Sequence, residues 1–346
     1  MFTQVLPVSN NSIETAAALL IEGAVVAFPT ETVYGLGANG LSGDAVEAIF
    51  RAKGRPQDNP LILHVADSAD VSMLVKSIPE RAKQLMDAFW PGPLTIVLEA
   101  ADIVPLQARG GLPTVAVRCP ANEWARRLIG RCGFPLAAPS ANLSGRPSPT
   151  NAADVLQDMD GRIALILDGG SCGIGLESTV VTLAGGVPRI LRPGFVTAED
   201  IAGICGEVYV DHAVLNELEQ GAVAASPGMK YRHYSPDARL TVVGGSKEAV
   251  ARHICRLYDE AVSKGLNPAV LAPGNSLPMY AKRAGYALGT GSAESAGEAL
   301  FAVLRRLDLD GRTDVFAEAL EPKGFGLAVM NRLLRAAGFH YIGVSD

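Results

Sequence analysis

The stretch Ala24–Gly40, AVVAFPTETVYGLGANG, decides which fold this chain can have. It opens on an apolar run, AVVAF, of the kind that forms a buried strand, and closes on GLGANG (Gly35–Gly40), which matches the glycine spacing of a dinucleotide-binding loop. Such a loop follows its strand directly, and an acidic residue closes the next strand ~20 residues on. Here PTETVY intervenes and no such acidic residue follows, so the glycines are not read as a dinucleotide site. PTETVYGLG reads instead as a glycine-rich turn just past the carboxyl end of a strand, where open α/β sheets hold ligands. It offers Thr30, Glu31, Thr32 and Tyr34, which suit a ligand and also suit an ordinary turn.

Working outward, Asn11 and Glu14 make a capping box for a helix to about Glu22, stopped by Gly23. Helices predicted at 44–53, 79–90, 122–129, 151–159 and 197–204 alternate with apolar strands LILHV, LTIVL, VAVR, PLAA, IALIL, STVVTL and RILR. Several strands follow one another with no helix between, so residues 1–205 read as one α/β domain on a mixed sheet. From Leu240 the alternation starts afresh: LTVVG, a helix over 247–264, PAVLA, a helix around 279–284, YALG, a helix over 294–307, DVFAEAL and a helix over 326–337. Four βα units of this size predict a small parallel-sheet domain over 238–346. The connection 206–237 exceeds the ~12–15 residues beyond which a loop is functional or disordered. It begins with DHAVLNELEQGA, a candidate short helix, and ends in SPGMKYRHYSP, whose rings and cations a plain tether would not need.

Bulk composition agrees with two domains. At 346 residues the chain exceeds the size at which one core stops growing, and a 48% hydrophobic content supplies the surface to bury. A net charge of -6 argues against a protein whose main task is gripping nucleic acid, which needs a large excess of Lys and Arg on one face. The five cysteines are scattered and never form CxxC, so neither a disulfide framework nor a zinc site is expected, and a cytoplasmic location fits. The first apolar stretch is broken by Glu22 and Gly23, so neither a signal peptide nor a membrane span is expected.

Other segments carry chemistry beside a plainer account. KGRPQDNPLILHV places Lys53 and Arg55 at a helix end, then Asn59, then His64 inside an apolar strand. Cations at a helix C-terminus follow from the macrodipole, yet Lys and Arg beside a proline-rich turn also grip phosphates; His64 also suits a hydrogen-bonded core position. Arg118 lies among apolar strand residues and so needs an anionic partner, either an internal carboxylate or a substrate carboxylate. The loop AAPSANLSGRPSPT brings Ser140, Asn142, Ser144, Ser148 and Thr150 directly after a strand, as a solvated loop or as donors for phosphate oxygens. ESTVV and RILRPG set Ser178 and Arg192 at strand edges. No metal-ligand spacing, GxSxG elbow or cationic cysteine setting occurs. An inventory of cations and positioning groups suits transfer at phosphorus, where orientation and charge stabilisation dominate.

Taken together, FPTETVYGLG, KGRPQDNPLILHV, WPGPLTIVL, PLAAPSANLSGRPSPT, LESTVV, ILRPG and SPGMKYRHYSP resemble the YrdC-like family of threonylcarbamoyl-AMP synthases in its long form, and GFGLAVMNRLL resembles the close of that form's second domain. The resemblance implies a YrdC-like twisted mixed sheet with flanking helices and a smaller Rossmann-like parallel α/β C-terminal domain. It implies formation of threonylcarbamoyl-adenylate and pyrophosphate from L-threonine, bicarbonate or carbon dioxide, and ATP. A partner transferase complex then modifies the tRNA adenosine beside the anticodon, with little direct tRNA binding by this chain. Carried over by motif, Thr32, His64, Arg118, Ala138 and Ser178 resemble the threonine set. Arg55, Asn59, Thr114, Ser140, Ser148, Arg192 and, from the connection, Tyr234 resemble the ATP set. Lys53 and Arg55 are the expected catalytic cations, and Mg²⁺ is expected to be held mainly by the ATP phosphates. On this basis residues 206–237 read as a lid, with Tyr234 reaching ATP and Lys230, Arg232 and His233 adding charge. Two alternatives remain: a carbamoyl-adenylate-forming maturation enzyme, disfavoured by the lack of CxxC pairs, and a non-catalytic RNA-binding module, disfavoured by the acidic balance.

Overall fold

A computed structural model describes residues 2–216 and 234–345. The chain divides into two compact units: the first holds 2–144 and 148–214 of the described residues, the second 145–147, 215–216 and 234–345.

The strands of the first unit are β1 (Gln4–Pro7), β2 (Val26–Phe28), β3 (Gly35–Asn39), β4 (Ile62–His64), β5 (Leu94–Glu99), β6 (Thr114–Arg118), β7 (Leu136–Ala137), β8 (Leu165–Asp168), β9 (Thr179–Thr182), β10 (Arg189–Arg192) and β11 (Tyr209–Val210). They join in the order β1-β8-β2-β3-β7-β4-β6-β5-β9-β10-β11. The sheet is mixed: β4 and β6 pair parallel, whereas β2 with β3 and β5 with β6 pair antiparallel. Its helices are α1 (Asn10–Ile21), α2 (Gly43–Lys53), α3 (Glu80–Phe89), α4 (Leu106–Arg109), α5 (Glu123–Cys132), α6 (Ala152–Met159) and α7 (Ala198–Cys205).

Successive strand residues point to opposite faces, so each face has its own core. One is packed by α1 and α5, whose Ala16, Leu20, Leu128 and Ile129 cover Phe28, Leu136 and Leu165. The other gathers Val46, Ile49, Leu85, Val155 and Ile201 from α2, α3, α6 and α7 onto Leu36, Leu63, Ile96, Val117 and Val181. A small third cluster of Ile62, Val97, Ala116, Val180 and Leu191 lies on the first face beyond α1 and α5, capped by Ala213 from a 3₁₀ turn at His212–Val214.

The glycines of the opening stretch have a packing reason. GLGAN forms β3 rather than a turn, and a Cβ at Gly37 would meet the Phe28 ring at 2.8 Å, while one at Gly40, just past the strand, would meet the Pro135 carbonyl at 2.9 Å. Their lack of side chain lets neighbouring strands and a buried ring close together. The capping box of α1 is also corrected: Ser9 is the N-cap and pairs reciprocally with Ser12, because the chain turns helical two residues earlier than Asn11 suggests.

The second unit has β12 (Arg239–Gly245), β13 (Pro268–Ala272), β14 (Gly285–Ala287), β15 (Asp314–Glu318) and β16 (Tyr341–Val344), all parallel, in the order β14-β13-β15-β12-β16. Helices α8 (Lys247–Ser263), α9 (Ala293–Leu309) and α10 (Phe325–Ala336) connect them, and α8 sets Val250 and Ile254 onto Val243, Val270 and Phe316. The helix expected around 279–284 is only a 3₁₀ turn at Leu277–Tyr280, whose four residues are too short a span for an α-helical ladder. The last strand, β16, was not anticipated.

Candidate active site

His64, Thr114 and Arg118 stand on the face that carries the small third cluster. Alternation along β6 puts Thr114, Ala116 and Arg118 on one side, and the parallel register sets His64 of β4 beside Arg118. Thr114 and Arg118 are four residues apart on an extended strand, so they stand ~13 Å apart on one face. Beyond β4, the Ala138 amide donates to Ile62 O at 2.9 Å. The following loop runs beside β3, through Leu36 N to Pro139 O at 2.8 Å, Ala141 N to Tyr34 O at 2.8 Å, and a bridge between Gly35 and Ser140. The PTETVY and APSAN segments, far apart in sequence, thus form one wall.

Arg118, left with two alternative partners by its sequence setting, is answered in part. Its Nη2 donates to Glu31 Oε1 at 2.5 Å, Nη1 to Thr32 Oγ1 at 3.0 Å and Nε to Gly92 O at 3.3 Å. A guanidinium carries five N–H donors, so one remains on each terminal nitrogen, enough for a second carboxylate. Glu31 Oε2 also accepts from the amide of Asn122, the N-cap of α5. Burial works to raise the Glu31 carboxyl, but the Arg118 charge and hydrogen bond hold it below its ordinary value.

Hydrogen-bond direction can be read at Thr32. The Thr30 hydroxyl donates to Val33 O at 2.7 Å, so the 2.8 Å contact between the Thr30 and Thr32 hydroxyls has Thr32 as donor. With its proton spent, Thr32 Oγ1 only accepts. His64 behaves alike: fully buried, its Nδ1 lies 3.2 Å from Ile62 O, and a carbonyl only accepts, so Nδ1 carries the proton. Burial, then the Arg118 charge, push the imidazole down to about 3, so it is neutral and Nε2 is a bare acceptor.

Ser178, fully buried, has its hydroxyl 2.7 Å from Thr95 Oγ1 and accepts from Arg192 Nη2 at 3.1 Å, while Arg192 Nε donates to its carbonyl at 3.0 Å. The Pro193-Gly194 turn presses on this corner: a Cβ at Gly194 would lie 2.3 Å from Thr179 N.

In the loop wall, the buried Lys53 ammonium donates to Ser140 O at 2.5 Å and Asn142 O at 2.6 Å. Ser140 Oγ donates to Asn142 Oδ1, and the buried Ser148 hydroxyl to Glu177 Oε1, both at 2.5 Å. Half-buried Arg55 donates to Asn59 O at 3.4 Å and Pro60 O at 3.2 Å. Asn59 stands out: only 1% exposed, its side-chain nitrogen and oxygen both lack a hydrogen-bond partner. A buried amide unsatisfied at both ends is costly and calls for a ligand or a water to complete it.

Tyr234 belongs to the second unit, where its ring stacks on Phe301 with centroids 5.2 Å apart and the Arg332 guanidinium lies 5.7 Å from its centre. Lys230, Arg232 and His233, and with them most of the expected lid, lie outside the described residues. Two groups bonded to candidate residues, Thr95 to Ser178 and Glu31 to Arg118, were not candidates from sequence. Thr95 carried a weak signal, one polar residue within LTIVL, and Glu31 was noted only as one polar group on a turn.

Among the described residues the site offers guanidinia, hydroxyls and a neutral imidazole on a mixed α/β sheet, the kind of inventory that suits holding and aligning charged reactants. Comparisons with known proteins narrow this class. A family model described as "Telomere recombination" matches residues 18–194, and one described as "Threonylcarbamoyl-AMP synthase, C-terminal domain" matches 196–338. The chain is 47% identical to the threonylcarbamoyl-AMP synthase of Pyrococcus abyssi over 96% of each chain, and 45% identical to that of Bacillus subtilis over 97% of this chain and 96% of the relative. The crystal structure of P. abyssi Sua5 complexed with L-threonine superposes with a TM-score of 0.92, at 45% identity, covering 99% of both chains. The chain belongs to the threonylcarbamoyl-AMP synthase family.

Proposed function

We propose that the chain converts L-threonine, bicarbonate or carbon dioxide, and ATP into threonylcarbamoyl-adenylate and pyrophosphate, in the cytoplasm, for a transferase complex that modifies tRNA beside the anticodon. The observation that carries this reading is the donor and acceptor pattern around Arg118. Two guanidinium N–H groups remain for a carboxylate, next to two acceptor-only atoms, Thr32 Oγ1 and His64 Nε2. That pattern complements an amino acid with a side-chain hydroxyl: carboxylate to the fork, amine and hydroxyl hydrogens to the acceptors. Ala138 and Ser178 complete the proposed threonine set. A relative 45% identical was crystallised with L-threonine.

The threonine amine, once neutral, adds to the carbon of carbon dioxide and releases a proton, giving a carbamate. A carbamate oxygen then attacks the α-phosphorus of ATP, the bond to the β-phosphate oxygen breaks, and pyrophosphate leaves. Arg55, Asn59, Thr114, Ser140, Ser148 and Arg192 are the proposed ATP set in the first unit, and Tyr234 the proposed member from the second. The unsatisfied Asn59 amide supports its place there. Lys53 is the proposed catalytic cation with Arg55, and its ammonium also orders the 140–142 loop through two of its carbonyls. Mg²⁺ is proposed to enter on the nucleotide phosphates rather than in a protein cage. There it would supply charge neutralisation for the leaving pyrophosphate.

The test is to incubate the purified protein with labelled bicarbonate, ATP and each amino acid in turn. A labelled adenylate with pyrophosphate should form with threonine alone; no adenylate under any condition would overturn the reading.

A further inference from the structure

Among the described residues Glu31 is the one carboxylate bonded to Arg118, and no step of the proposed chemistry uses it. The pair is buried, with side-chain exposures of 4% for Arg118 and 17% for Glu31. Glu31 is held at both ends, by Arg118 on Oε1 and the Asn122 amide on Oε2, so swinging away from an arriving ligand would break both bonds. A second carboxylate seated on the two remaining Arg118 N–H groups therefore shares the guanidinium with Glu31, and two anions flank one cation. Beside so buried a pair, such crowding is felt strongly unless a positive charge accompanies the incoming carboxylate. His64 provides none, being neutral; the charge of Arg192 reaches His64, but its guanidinium already donates to the Ser178 carbonyl and hydroxyl and adds no ammonium beside the carboxylate.

We propose that Glu31 is a specificity-determining residue that makes the Arg118 site select a zwitterion, a ligand bringing its own ammonium beside its carboxylate, and reject simple carboxylates of the same shape. The inference rests on the amino-acid reading of this pocket. It explains why a buried arginine suited to carboxylates is neutralised in advance: a bare guanidinium would also collect hydroxy acids, bicarbonate and other small anions.

The experiment compares binding of L-threonine with that of 3-hydroxybutyrate, which keeps the carboxylate and hydroxyl and lacks the amine, by calorimetry on the full chain. The native protein should prefer threonine by ~100-fold or more, and Glu31→Gln should reduce that preference at least about tenfold by gaining affinity for 3-hydroxybutyrate. A purely structural loss would lower both affinities together and leave the ratio standing; an unchanged ratio overturns the proposal. Glu31→Asp keeps the charge and should keep the ratio whatever its absolute affinities, so a collapse there overturns it equally. Failure of the native protein to bind threonine at all would instead sink the amino-acid reading.

Discussion

At the scale of single residues, the site shows which polar groups serve the fold and which wait for something else. Asn59 is the clearest of the second kind, because its buried amide finds no partner at either end. Asn59→Leu should therefore leave unfolding free energy unchanged or raise it by about 1–3 kcal/mol while weakening ATP binding by about tenfold or more, as read by urea unfolding and nucleotide titration. A clear loss of stability would show that the amide has a structural partner. His64 makes a prediction about pH. Below its ordinary value of 6.5 the unfolded chain takes up a proton here that the folded chain refuses until about 3. Stability from this group is thus complete above 6.5 and drains as pH falls, by about 1.4 kcal/mol per unit. Between pH 7 and 5 the native protein should lose about 2 kcal/mol more than His64→Gln; parallel losses would mean the ring protonates freely in the fold. Sequence made the need of Arg118 for an anion legible and left the partner open, since no pattern in the chain links Glu31 to a residue 87 positions away.

At the scale of elements, strong apolar periodicity was enough. RILR and PAVLA coincide with β10 and β13, and most helices lie within two residues of their expected ends. β3 was missed because glycine weakens strand propensity, and only the ring of Phe28 explains why it is there. β1 and β16 are short outer strands with half-exposed sides, so they lack the apolar run that betrays a buried one. The turn after β10 offers an element-scale test. Gly194→Ala would push against the backbone of Ser178 and Thr179, so it should cost about 1–3 kcal/mol and lower adenylate yield together, by thermal unfolding and pyrophosphate release. Native stability and yield would mean the turn opens without disturbing Ser178.

At the scale of the whole molecule, the restart of alternation at Leu240 made two units legible, whereas the return of residues 145–147 to the second unit could not be read, because it is a tertiary assignment of a loop. With a net charge of -6 the chain has no surplus of cations to displace counterions, so tRNA binding at ~150 mM salt should be weaker than ~10 μM by fluorescence anisotropy, with a shallow salt slope. Tight, steeply salt-dependent binding would overturn that expectation. Strand β6 carries a last consequence. It is hydrogen-bonded on both sides, to β4 and β5, and a one-residue slip would turn its functional side chains to the opposite face. On the proposed assignment, the spacing between the nucleotide end at Thr114 and the amino-acid end at Arg118 is therefore digital, adjustable only in jumps of ~7 Å. Descendants of this site are free to change what each end grasps, but the interval between the two grasps is inherited whole.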